Sequence, residues 1–85
     1  MKKLSYLWDV TLGPGLSRRD VVMNDATLSV LKRGDHRWVW WITTPYRPGI
    51  ELTDVRRTCL DAQQAAEAAL PLARRIVTKL LEMRS

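Results

Sequence analysis

The sequence is short of the residues on which most covalent and metal chemistry depends. Its 85 residues include one cysteine and one histidine, Cys59 and His36. A single cysteine excludes an intramolecular disulfide framework, which a small secreted scaffold would normally have. Too few ligands remain for a typical zinc site, so we expect neither a metal nor another cofactor.

Long apolar runs are also lacking, because charged residues interrupt each hydrophobic stretch. A membrane-spanning helix needs about 20 consecutive, mostly apolar residues. Residues 1–4 look like the start of a signal peptide, but Asp9 interrupts the apolar segment that would have to follow. We therefore expect no membrane partner and a cytoplasmic location, which would be the host cell cytoplasm for a phage-encoded protein.

Positive charge, in contrast, is abundant. The formal net charge is +5 and the isoelectric point is near 10.0, which favours nucleic acid or an acidic protein surface as a partner. Dispersed charges also serve simply to keep a domain soluble. The basic residues occur largely as pairs: Lys2-Lys3, Arg18-Arg19, Lys32-Arg33, Arg56-Arg57 and Arg74-Arg75.

Residues 37–44 carry the clearest strand pattern and hold three of the four tryptophans. Their Trp, Val, Ile and Thr content is typical of a strand. Because successive side chains of a strand point to opposite faces, Trp38 and Trp40 share one face and Trp41 lies on the other. Trp41 therefore either packs against residues 16–25 or a second copy of the chain, or is exposed for binding.

Further strands are predicted on both sides of this stretch. Residues 27–31 and the tryptophan strand flank a short polar loop that contains Gly34, which predicts a hairpin. Residues 50–57 are a weaker candidate for the next strand, after a loop at residues 45–49. Residues 4–12 alternate as a strand with one buried side, whereas residues 16–25 contain either a short strand at 21–23 or a long loop.

From Thr58 onward the hydrophobic period becomes helical. Thr58 and Asp61 have the spacing of a capping box, and apolar residues recur at steps of three and four down to Met83. Pro71 lacks an amide proton and its ring crowds the preceding turn, which predicts a kink or a junction of two helices.

These elements predict one α+β domain, in which an antiparallel sheet of three or four strands packs against one long C-terminal helix kinked at Pro71. The expected core residues are Tyr6, Trp8, Val10, Leu28, Val30, Trp38, Trp40, Ile42, Ala66, Ala69, Ala73, Ile76 and Leu80.

Catalysis finds little support in this pattern. Cys59 lies near a predicted helix N-terminus, where the helix dipole can lower a thiol pKa. A cysteine enzyme also needs a positioned base, and the sequence gives no reason for His36 to lie near Cys59. We expect a buried, inert cysteine and a protein that is not an enzyme.

Binding is the better-supported activity, because aromatic and arginine side chains together are typical of recognition surfaces. The candidate binding residues are Trp41, Arg37, Tyr46, Arg47, Arg56 and Arg57.

The order of strands and helix resembles the arm-binding domain of phage integrases, in residues 34–42 and in the alanine-rich helix from Ala62; that resemblance implies DNA binding. The integrase pattern has a further glycine-aromatic strand, from which residues 50–57 depart. In size and style, with a tryptophan strand before an alanine-rich helix, the chain from about residue 27 onward also resembles small phage and prophage proteins, including anti-CRISPR inhibitors. This resemblance implies a partner that is a host protein or ribonucleoprotein complex.

Three functions follow as hypotheses. The first is a stoichiometric, phage-type inhibitor that occludes a site on a host defence complex. The second is a small DNA- or RNA-binding regulator that uses the same sheet face. The third is a self-associating structural protein, whose helix contributes Leu70, Val77 and Leu81 to a dimer seam. The sequence leaves open whether the chain is a monomer or a homodimer.

Overall fold

The described strands pair with their neighbours in chain order. The structure is a computed structural model that describes residues 4–13, 16–46 and 51–84. Within these ranges the elements are β1 Asp9–Gly13, β2 Leu16–Val22, β3 Thr27–Lys32, β4 Trp38–Thr43, β5 Glu51–Arg56 and α1 Cys59–Arg84. The strands form one antiparallel sheet in the order β1-β2-β3-β4-β5. The predicted α+β class and antiparallel sheet are confirmed.

The predicted number of three or four strands is wrong, because β2 is a full strand of the sheet. It pairs with β1 on one side and with β3 on the other, so the long-loop interpretation of residues 16–25 is also wrong. Three adjacent charged residues hide its apolar pattern. They are tolerated because α1 packs on β3, β4 and β5, so this part of the sheet extends into water.

The predicted first strand is too long. It begins at Asp9 rather than at residue 4, and Leu7 and Val10 are 94% and 53% exposed. Tyr6 and Trp8 do pack against the core as partly buried residues. Because β1 lies beyond the edge of the helix layer, its Val10 is not the core residue that the alternation predicted.

A carboxylate of the helix holds the segment before β1. The backbone N–H groups of Ser5 and Tyr6 donate to Glu67 at 2.9 and 3.0 Å. The Trp8 indole Nε1–H donates to the same carboxylate at 3.1 Å. Residues 5–8 alternate like a strand, but three of their N–H groups donate to α1. In a strand, the backbone groups would instead bond to a neighbouring strand.

The tryptophan hairpin is confirmed. β3 pairs with β4 so that Val30 lies opposite Trp40 and Leu28 opposite Ile42. β5 then pairs with β4, as predicted from residues 50–57. Of the predicted loop at residues 45–49, only residues 45 and 46 are described. Residues 47–50 lie outside the described residues.

Helix α1 covers one face of this sheet and buries a stripe of its own small and aliphatic side chains. The core cluster contains Val21, Ala26, Leu28, Val30, Trp40, Ile42, Ala62, Ala66, Leu70 and Ala73. Leu70 and Val77 are 1% and 8% exposed, so the prediction that they form a free dimer seam is wrong. The apolar residues of the helix cover more than one possible buried face. Packing on the sheet buries the face that contains Leu70 and Val77.

The helix begins as its sequence predicts. The Asp61 N–H donates to the Thr58 Oγ1 at 3.1 Å, and the Ala62 N–H donates to the Thr58 carbonyl, which makes Thr58 the N-cap. The helix continues through Pro71 as one element, so the two-helix alternative is wrong, while the kink stays a prediction. No helix in the described ranges is both long enough and apolar enough to span a lipid bilayer.

Candidate functional site

The sheet face that α1 does not cover carries the candidate site, and we call it the open face. In β4, Trp40 and Ile42 point to the helix, so Val39 and Trp41 lie on the open face. Cross-strand pairing places Leu31, Val39 and Val55 side by side in one row. All three are only partly buried, so this row leaves apolar surface in contact with water.

Trp41 is neither fully exposed nor covered by the helix. The guanidinium of Arg18 lies 5.3 Å from the centroid of its indole ring, within the range of a cation–π interaction. Arg18 is also paired with Asp20, whose carboxylate lies 3.2 Å from Arg18 Nε. Asp20 in turn accepts a 2.6 Å hydrogen bond from the Ser29 hydroxyl.

We call Arg18, Asp20, Ser29 and Trp41 the Trp41 cluster. Asp20, Ser29 and Trp41 stand in one cross-strand row, and Ser29 between its larger neighbours is only 1% exposed. The ion pair with Asp20 holds the Arg18 guanidinium beside the indole ring. A preorganised tryptophan and arginine lose little conformational entropy when they bind.

Three predicted binding residues meet at the end of the open face. A groove of about 370 Å³ is lined by Arg37, Val55, Arg56, Arg57 and Asp61, and we call it the arginine groove. Because Val55 belongs both to the groove and to the apolar row, the two features form one continuous surface. Arg37 and Arg57 have no carboxylate partner within the part of the chain that the structure describes.

Of the two remaining predicted residues, Tyr46 is not part of this surface. Tyr46 lines a second groove of about 270 Å³ with the helix residues Ala73, Val77 and Leu81, on a different side of the molecule from Trp41. Arg47 lies outside the described residues. Among the described candidates, the structure therefore brings Arg37, Arg56 and Arg57 together beside the open face and separates Tyr46 from them.

Asp54 shields the edge strand beside the arginine groove. It accepts from the Val55 N–H at 2.7 Å and from Arg56 Nη1 at 2.5 Å. The Val55 amide and then the Arg56 guanidinium hold the pKa of the Asp54 carboxyl below its usual range. An amide that already donates to a carboxylate is not offered to an incoming strand, so this contact removes one donor from the edge of β5.

Cys59 does not have the environment of an activated nucleophile. It is partly buried at the start of α1, and burial raises the pKa of its thiol despite the nearby positive charge of Arg19. A raised pKa disfavours the thiolate at neutral pH. Within the described ranges, no three His, Cys, Asp or Glu side chains are grouped so that they could hold a metal ion.

Packing of Trp41 against residues 16–25 was one of the predicted alternatives, and Arg18 in that range does contact its ring, but the sequence did not single out Arg18 and Asp20. Arg18 and Asp20 are two residues apart and would share one face of a strand, but this signal is usable only once β2 is recognised. Comparison with family models, with curated proteins and with solved structures finds no match to this chain.

Proposed function

We propose that this chain is a non-catalytic, stoichiometric binding protein that docks on a macromolecular partner through its open face. The observation that carries the proposal is the hydrogen-bonded Trp41 cluster beside the partly exposed row of Leu31, Val39 and Val55. Tryptophan and arginine dominate the binding energy of protein interfaces, particularly when apolar contacts surround them and exclude water.

Charge favours an acidic protein surface as the partner. The chain carries a net charge of +5, and the arginine groove adjoins the apolar row. An acidic partner would meet complementary charge at the rim and apolar contacts at the centre, which is the usual anatomy of an interface.

The specific form of the proposal is a phage-type inhibitor that occludes a site on a host defence complex. The likeness in size and style to small phage proteins, including anti-CRISPR inhibitors, supports this form. Occlusion needs affinity and surface area and no reacting groups, so a rigid sheet face is a suitable structure for it.

A small DNA- or RNA-binding regulator is the second candidate, and the arginine groove favours it. Stacking of bases on Trp41 is less favoured, since the Arg18 guanidinium already occupies one side of the indole. The carboxylate of Asp20 next to it would also repel a phosphate backbone.

The test is a pull-down from bacterial lysate, with and without nuclease, using wild type and two matched variants. Val55→Asp places a carboxylate in the apolar row, where it would repel an acidic partner. Leu72→Asp makes the same kind of change on α1, where Leu72 is 49% exposed, and serves as the control. Circular dichroism first establishes that both variants are folded.

We expect wild type and Leu72→Asp to retain the same protein partner after nuclease treatment, and Val55→Asp to lose it. Mass spectrometry of that partner would then test the inhibitor proposal directly. Recovery of nucleic acid alone, released at moderate salt, would contradict the protein-docking proposal and support the regulator.

A further inference from the structure

We propose that the arginine groove is a binding site for a phosphate group. Its lining residues are three arginines, one aspartate and one valine, namely Arg37, Arg56, Arg57, Asp61 and Val55, and Asp54 adds a second carboxylate as the partner of Arg56. The positive charge therefore exceeds the negative charge within a single concave site.

The three arginines come from different parts of the chain. Arg37 directly precedes β4, Arg56 ends β5, and Arg57 lies in the connection to α1. The pairing of β4 with β5 brings these positions together, since Trp38 lies opposite Arg56. Guanidinium groups that reach one groove from several backbone segments can contact different oxygens of the same ligand.

Most of the positive charge of the groove is not neutralised by ion pairs among the described residues. Arg18, Arg33 and Arg74 each have an aspartate partner, whereas Arg37 and Arg57 have none within the described ranges. Arg56 is bound to Asp54, and the side chains of this pair are 44% and 51% exposed. The groove therefore combines two arginines without a carboxylate partner in the described ranges with a third, Arg56, that is held by Asp54.

The geometry suits a phosphate better than a carboxylate. A phosphate group offers three or more oxygens in a tetrahedral arrangement, so several guanidiniums can bind it from different directions. A carboxylate has two oxygens in one plane, so it offers fewer acceptor positions and fewer directions of approach than a phosphate. The phosphate could belong to a small phosphorylated molecule or to a nucleic-acid backbone, and the two sources share this chemistry.

The inference does not depend on the open-face partner, because its test uses only the purified chain. NMR would follow the arginine Nε–Hε signals during titration with inorganic phosphate. We expect phosphate to shift the signals of Arg37, Arg56 and Arg57 and to leave those of Arg75 and Arg18 nearly unchanged. Equal shifts of all arginine signals, or no shift in the groove, would overturn the proposal.

A second titration identifies the source of the phosphate, using a single-stranded oligonucleotide of about twelve nucleotides. The variant with Arg37→Gln and Arg57→Gln is compared with a control that carries Arg75→Gln and Lys79→Gln. Both lose two positive charges, and the control residues lie exposed on α1.

If the source is nucleic acid, the oligonucleotide binds more tightly than phosphate. The groove variant then lowers the slope of log affinity against log salt by about 1.4, since each contact with a single strand contributes about 0.7, and the control lowers it much less. An oligonucleotide that binds no more tightly than phosphate assigns the groove to a small phosphorylated ligand. Equal losses in both variants would show nonspecific attraction and would overturn the site.

Discussion

The Arg18 guanidinium lies 5.3 Å from the centroid of the Trp41 ring, on the sheet face that the helix leaves open. Arg18 belongs to β2 and Trp41 to β4, with β3 between them. The contact therefore reaches across a strand and orders the centre of the candidate docking surface.

Replacement of Arg18 by alanine is expected to lower the free energy of unfolding by about 0.5–1 kcal/mol, the usual strength of an exposed cation–π pair. Arg33→Ala removes an exposed pair with Asp35 and should cost less, since surface ion pairs contribute little. Urea unfolding measures both values. Equal losses would mean that the Trp41 contact adds no stability.

Glu67 should control the position of the segment before β1. Its carboxylate accepts hydrogen bonds from the Ser5 and Tyr6 amides and from the Trp8 indole. Glu67→Ala removes all three bonds and should lower the free energy of unfolding by about 1–3 kcal/mol, since each donor loses its acceptor.

Hydrogen exchange of the Ser5 and Tyr6 amides reports this effect locally. Both should exchange much faster in Glu67→Ala than in wild type. Glu67→Gln keeps one acceptor oxygen and should give an intermediate rate. Unchanged protection in Glu67→Ala would show that another contact holds the segment.

The loop between β3 and β4 contains an unfavourable backbone conformation at a residue other than its glycine. His36 has a φ of 65°, in the left-handed region where glycine is preferred. His36→Gly should therefore raise the free energy of unfolding by about 1 kcal/mol or less. Thermal unfolding measures the change, and destabilisation would show that the imidazole makes a compensating contact.

Gly34 in the same loop should tolerate a side chain. A Cβ placed there meets no atom within 4 Å, and its φ is not in the left-handed region. Gly34→Ala should be neutral or stabilise the fold by about 0.4–1 kcal/mol, because alanine lowers the entropy of the unfolded chain. A clear loss of stability would contradict the loop geometry.

The ion pair between Asp25 and Arg74 should make a small, pH-dependent contribution to stability. Arg74 Nε lies 2.8 Å from the Asp25 carboxylate, and this hydrogen bond holds the pKa of Asp25 below its usual value of 3.8. A depressed carboxyl pKa stabilises the fold above pH 3.8, and the contribution is lost as the pH falls through the lower folded value.

Arg74→Gln should return the pKa of Asp25 toward 3.8, which a carboxyl-carbon NMR titration measures. Because both side chains are more than a third exposed, solvent screens the pair and its contribution should be at most about 1 kcal/mol. An unchanged Asp25 titration in the variant would show that Arg74 is not its main partner.

Leu70 and Leu72 distinguish the two sides of α1. Leu70→Ala should cost about 2–5 kcal/mol because it leaves a cavity in the core, where Leu70 is 1% exposed. Leu72→Ala, on the solvent side, should cost much less. Denaturant unfolding compares the two variants, and similar losses would contradict the observed phase of the helix.

Local sequence determined the type of most elements. The alternation at residues 38–43, the Thr58 cap and the three-four apolar period predict β4 and α1, because each signal depends on neighbours within one or two turns or strands. The same local signals placed Trp40 and Trp41 on opposite faces of the sheet. The frequency of arginine in recognition surfaces made Arg37, Arg56 and Arg57 candidate binding residues.

Tertiary structure decided which long-range partner each side chain has. Residues 4–8 alternate like a strand, but three hydrogen bonds to Glu67 hold them on the helix. The charged residues of β2 obscure its strand pattern in the sequence. Its pairing with β1 on one side and β3 on the other identifies it as a strand. The partner of Trp41 depends on that strand and its register, and the arginine groove depends on the pairing of β4 with β5. Contacts between residues far apart in the chain follow from register and packing, which no local pattern contains.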